Sequence, residues 1–177
     1  MPNNRRSAGT AWISRYLMVA LIVGLAAAVI EMVFVLPVQP LFGTRPIRIF
    51  WIIAAGALGR PALQGGAGVV LLGACIHVFV SVVAAAVYVF AARLWDDVLI
   101  RKPVISGMVF GAVCYVVMTF MVIPLSAIHY HADPSIMDIW ASLAIHVFAF
   151  GLPIALISRA LLDKQAKRAD RLAEMPG

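Results

Sequence analysis

Charge is scarce in this chain: 12% of its 177 residues are Asp, Glu, Lys or Arg, and only eight are acidic. Against that scarcity stands a 63% hydrophobic content and a mean hydropathy of +0.99. The core of a single soluble domain cannot hide that much apolar surface, so a water-soluble fold is excluded and an integral membrane protein is expected. Cysteine is almost absent. Cys75 and Cys114 form no C-x-x-C pair, and both fall inside apolar runs, where they are expected to pack as small apolar residues. Motifs of catalysis are missing too. There is no G-x-S-x-G, no H-E-x-x-H, no P-loop and no dinucleotide-binding glycine pattern, and the expectation is a protein that is not an enzyme. The net charge of +6 does not point to nucleic acid, because the basic residues flank apolar runs and lack aromatic interleaving in a soluble module.

What the chain does contain is four apolar runs, at residues 17–36, 68–92, 104–124 and 139–157. Each is near the roughly 20 residues needed to cross a hydrocarbon core of about 30 Å. The runs are continuous rather than alternating, which predicts an all-α protein with four transmembrane helices and not a barrel. Residues 1–16 and 158–177 read as tails, and the mixed charges from Ser158 to Glu174 predict a last helix that continues beyond the bilayer. The first run, behind Arg5, Arg6 and Arg15, is too long for a signal-peptide core and lacks a polar mature start, so it reads as a retained anchor.

Orientation follows from the basic residues, which resist translocation. Eleven of them (Arg5, Arg6, Arg15, Arg93, Arg101, Lys102, Arg159, Lys164, Lys167, Arg168, Arg171) fall on one side and three (Arg45, Arg48, Arg60) on the other. Both termini are therefore expected to be cytoplasmic.

The tetrapeptide Ile-His-Val-Phe occurs twice, at 76–79 and 145–148, and Gly24 precedes Pro37 by the same 13 residues that separate Gly111 from Pro124. The chain reads as two hairpin repeats, each ending in a histidine-bearing helix. Pro37 and His77 are 40 residues apart, against 22 from Pro124 to His146, so the first half carries 18 extra residues. Within them, Pro46 to Leu58 is too short to span. Ile47, Trp51, Ala54 and Leu58 fall on one helical face, which predicts a short interfacial or re-entrant helix. Ala20, Gly24 and Ala28, and likewise Gly107 and Gly111, offer small-residue faces for close packing, either within the chain or against a second copy. Pro153 is expected to kink the last run below His146.

Polar residues inside the runs carry whatever chemistry the chain has. Glu31 is the only acid there, and an ionised carboxylate in hydrocarbon needs a partner or water. At a rise of ~1.5 Å per residue, Glu31 lies about 9 Å below Pro37, His146 about 12 Å below Asp138 and His77 about 16 Å below Gly66. These three are expected to meet in a buried polar cluster with Ser81, Tyr115 and Thr119, fixing helix register. Three alternatives use overlapping residues. The cluster is also what a proton or ion pathway would use. His77 and His146 could be axial ligands of a b-type haem, with Gly73 and Gly111 as seats for the porphyrin. His129, His131 and Asp133, with Met32, Met118, Met121 and Met137, could hold copper. The leading expectation is no cofactor and no metal. The lipid bilayer is the expected surrounding, with a second copy or another membrane protein left open as partner.

Ser106-Gly107-x-x-x-Gly111 leads to Pro124-Leu125 and Pro134, and the histidine-bearing last run ends in Ser158-Arg159; with Ile76-His77, Ser81 and Tyr88 in the second run, the chain resembles the small four-helix bacterial inner-membrane proteins of the YagU type. The resemblance covers residues 17–165 and departs from Thr44 to Gly66. It implies a four-helix fold in a bacterial inner membrane and transfers no catalytic residue.

Overall fold

The computed structural model of the chain describes residues 4–43, 45–128 and 135–173. Every regular element among them is helical. Four helices are long and apolar enough to cross a membrane: Trp12–Leu41, Ala67–Leu94, Pro103–Leu125 and Ile136–Lys164, here the first to fourth spans. The last helix runs on to Ala173. Its start lies three residues ahead of the apolar run, because Ser135 and Asp138 form a reciprocal cap: the Ser135 hydroxyl accepts from the Asp138 amide (3.2 Å) and the Asp138 carboxylate accepts from the Ser135 amide (3.0 Å).

The first and fourth spans are the centre of the molecule, with 44% and 39% of their most apolar windows buried, against 17% and 6% for the second and third. One core joins Val19, Val23 and Ala27 of the first span to Ala85 and Val89 of the second and Phe150 and Ile154 of the fourth. The small-residue faces meet helices of the same chain. A Cβ on Gly24 would overlap the backbone of Val82, and one on Gly151 would overlap the backbone of Gly107 and Gly111. Close approach of this kind replaces the hydrophobic driving force that lipid does not supply between helices. At the arginine-rich end the second and third spans are tied by Tyr88. Its hydroxyl donates to the Leu99 carbonyl (2.7 Å) and pairs with the Ser106 hydroxyl (2.9 Å), while its ring meets Phe110 edge-on at 5.1 Å.

Two wide π-turns interrupt the spans, at Met118–Val122 and Ile145–Gly151. Pro124 and Pro153 each stand two residues beyond one. A proline ring displaces the carbonyl four residues back and offers it no donor, and a wider turn ahead of the ring accommodates both defects. The distortion expected below His146 therefore takes in His146 itself.

The helix Arg48–Leu58 packs on the second span. It turns Ala54 and Ala55 inward with Ala62 and Ile128, while Ile47 and Leu58 are exposed. The face that packs is thus the small one: of the expected stripe Ala54 is buried, Trp51 is half-buried, and Ile47 and Leu58 are exposed. Gly59, at φ +78°, ends this helix, and the Gly56 carbonyl accepts from the Ala127 amide (2.9 Å) just past the third span.

Candidate functional site

Glu31 lies in the first span with 7% of its surface exposed, at the level where the second and fourth spans flank it. The two oxygens of its carboxyl face different histidines. Oε2 is 3.9 Å from His77 Nε2 and Oε1 is 3.9 Å from His146 Nε2. That distance is ion-pair range and longer than a hydrogen bond. One acidic side chain from the centre of the fold therefore reaches the two helices that carry the duplicated tetrapeptide.

Backbone carbonyls settle how the imidazoles are protonated. His77 Nε2 is 3.2 Å from the Ala28 carbonyl and His146 Nδ1 is 2.9 Å from the Ser142 carbonyl. A carbonyl oxygen only accepts, so His77 carries its proton on Nε2 and His146 carries one on Nδ1. His146 consequently turns its second nitrogen, the basic lone pair of a neutral ring, toward Glu31. A carboxylate opposite that lone pair would set two acceptors against each other. One proton belongs between them, either on the carboxyl facing a neutral imidazole or on Nε2 facing a carboxylate. In both forms the Glu31 and His146 pair is neutral as a whole, the state that hydrocarbon tolerates.

The rest of the expected cluster divides. Tyr115 meets the His146 ring edge-to-face, with centroids 5.6 Å apart, and Phe150 flanks it at 6.3 Å. Ser81 is buried, yet its hydroxyl donates to the His77 backbone carbonyl (2.9 Å) rather than to the ring. Thr119 sits in the π-turn and, among the described residues, makes no hydrogen bond to Glu31 or either histidine. Ser81 turns to its own helix, because a helical serine finds the carbonyl one turn back nearer than a neighbouring helix. Missed by sequence reasoning were the Ala28 and Ser142 carbonyls, since a backbone acceptor has no sequence signature. The Tyr88 and Ser106 pair is a polar contact inside the spans that the same search for intramembrane hydroxyls would have found.

The two glycines expected as porphyrin seats each lie against the backbone of another helix. A Cβ on Gly73 would overlap the Phe50 carbonyl, and one on Gly111 the His146 carbonyl. His77 Nε2 meets the Ala28 carbonyl and His146 Nε2 faces the Glu31 carboxyl. His129, His131 and Asp133 lie outside the described residues. Of the methionines grouped with them, Met121 and Met137 are exposed. Cys114 packs against the core as expected, whereas Cys75 is exposed on the second span.

Comparison with protein-family models, with curated proteins and with solved structures returned no match.

Proposed function

We propose that this is a non-enzymatic protein of a bacterial inner membrane whose Glu31, His77 and His146 bind one proton and, through it, tie the central span to the two histidine-bearing spans. The observation that carries this reading is the pairing of each Glu31 oxygen with a different histidine at 3.9 Å. Removing the proton would leave an uncompensated charge among three apolar helices, at a cost of several kcal/mol. The fold is read as two hairpin repeats, because in each half a small-residue face packs on the histidine-bearing helix, Gly24 at Val82 and Gly111 at His146. The helix Arg48–Leu58 is read as interfacial or re-entrant, in keeping with its 11 residues and its exposed Ile47 and Leu58. The distribution of basic residues supports cytoplasmic termini, and the resemblance to YagU-type proteins supports the inner membrane.

Infrared difference spectra of the protein in lipid test the proton-sharing role. Subtracting Glu31→Gln from the natural sequence isolates the Glu31 carboxyl band. His146→Leu is expected to shift that band strongly and His77→Leu weakly, since only His146 presents a lone pair to the carboxyl. A band indifferent to His146 would overturn the reading.

One observation favours a second reading, passage of a proton or cation through the same residues. His146 stands on the π-turn Ile145–Gly151, and such turns recur at functional sites. Vesicle-reconstituted protein with an internal pH dye reads this directly: a proton leak lost in Glu31→Gln would promote transport over the static tie.

A further inference from the structure

The arginine-rich end of the bundle holds a polar feature separate from the triad, 16 residues beyond His77 on the same helix and so about 24 Å away. A cleft of about 620 Å³ opens there between the start of the first span, the end of the second and the last helix. Arg15, Arg93, Arg101 and Arg159 line it, against Asp96 and Asp163. Two of these arginines are neutralised by neighbours one turn away on their own segments: Arg101 pairs with Asp97 at 3.0 Å and Arg159 with Asp163 at 3.7 Å. Arg15 and Arg93 make no ion pair among the described residues. The Arg93 guanidinium carbon instead lies over the Trp12 ring, 3.9 Å from its centroid, with Tyr16 at 5.9 Å. An aromatic ring holds the cation without using its N–H donors in an ion pair, and a guanidinium whose donors are not taken by a carboxylate is suited to a phosphate.

The position of the cleft argues for what fills it. The first apolar span begins at Trp12 and the second ends at Leu94, so the cleft lies where apolar helix gives way to water. Trp12 and Tyr16 are the residue types that settle at that level. Ala92, Ile100 and Leu162 supply apolar wall beside the arginines. We propose that this cleft binds a phosphate ester, and that its source is the headgroup of an anionic phospholipid lying against the bundle, held by Arg15 and Arg93. The inference is independent of the proton shared by Glu31 and His146.

Native mass spectrometry of the full chain released from detergent, with phosphatidylglycerol, phosphatidylcholine or inorganic phosphate added, tests it. Phosphatidylglycerol is expected to stay bound and phosphatidylcholine to be lost. Retention should weaken roughly fivefold in Arg15→Gln or Arg93→Gln and roughly 25-fold in the double variant. Arg93→Lys, which keeps the charge and loses the planar fork, should fall between. Lys102→Gln, a basic residue of the same end that does not line the cleft, should leave retention unchanged. Circular dichroism of each variant keeps loss of fold distinct from loss of binding. Inorganic phosphate that stabilises the natural chain against heat but not the double variant, without any preference for phosphatidylglycerol, would keep the phosphate site and overturn its lipid source. Equal retention of both lipids without a phosphate effect, or retention indifferent to the two arginines, would overturn the site.

Discussion

Replacing His146 by leucine should destabilise this protein more when Glu31 is present than when it is leucine. In the natural chain the substitution removes two contacts, the Nδ1–H donation to the Ser142 carbonyl and the Nε2 that faces Glu31 Oε1. The first is a neutral hydrogen bond within one helix, and its loss costs about 1 kcal/mol. The second leaves a carboxyl that is 7% exposed with a single histidine neighbour. It will hold its proton instead of standing ionised, so the cost is that of an unsatisfied buried polar group, about 1–3 kcal/mol. Glu31→Gln alone should be mild, within about 1 kcal/mol, because the amide N–H can donate to the same Nε2 lone pair. Glu31→Leu instead removes the polar group at that position, and in that background His146→Leu strands no donor and loses only the Ser142 bond. The two changes should couple by about 1–1.7 kcal/mol, near the upper end of polar interactions measured between membrane helices. Unfolding in mixed micelles titrated with a denaturing detergent reads all four corners of the cycle. Additivity within about 0.5 kcal/mol would show that Glu31 and His146 act independently, and would refute the shared proton.

Gly111→Ala should cost about 1–3 kcal/mol in the same titration, since its methyl would overlap the His146 carbonyl and force the third and fourth spans apart; an unchanged midpoint would contradict that packing. Tyr88→Phe should cost about 0.5–1.5 kcal/mol by leaving the Leu99 carbonyl to Ser106 alone, and a neutral result would assign the tie to the aromatic contact with Phe110. After replacement of Cys75 and Cys114, a cysteine at Ala132 is expected to react from outside the cell with an impermeant thiol reagent and one at Ala173 is not; the opposite pattern reverses the topology. The purified protein is expected to be colourless, and a Soret band lost in both His77→Ala and His146→Ala would establish haem.

Four spans, the small-residue faces and the two histidines were legible along the chain because each depends on local properties. Hydropathy over some 20 residues decides whether a segment prefers lipid, and a four-residue spacing of Ala and Gly decides which side of a helix can approach another backbone. Glu31 was legible for a related reason, since an acid in an apolar run stands out by its cost. Boundaries were less so: the fourth span starts at a cap that polar residues build, and hydropathy does not register a cap.

Which partner each face meets was decided only in three dimensions. Spacing left the Gly24 and Gly111 faces open to a second copy, and the fold directs them to Val82 and His146 of the same chain. The rotation of a helix about its own axis depends on ridges contributed by other helices, so the sequence could gather Ser81, Thr119 and Tyr115 around Glu31 but could not say that only Tyr115 would touch a histidine ring. The protonation of both imidazoles rests on the Ala28 and Ser142 carbonyls, groups that every residue possesses. Sequence determined that a carboxyl and two histidines lie within the membrane. Tertiary structure decided that they meet, which nitrogen faces the acid, and which backbone each glycine lies against, because contact between helices is a property of their packing and not of any one segment.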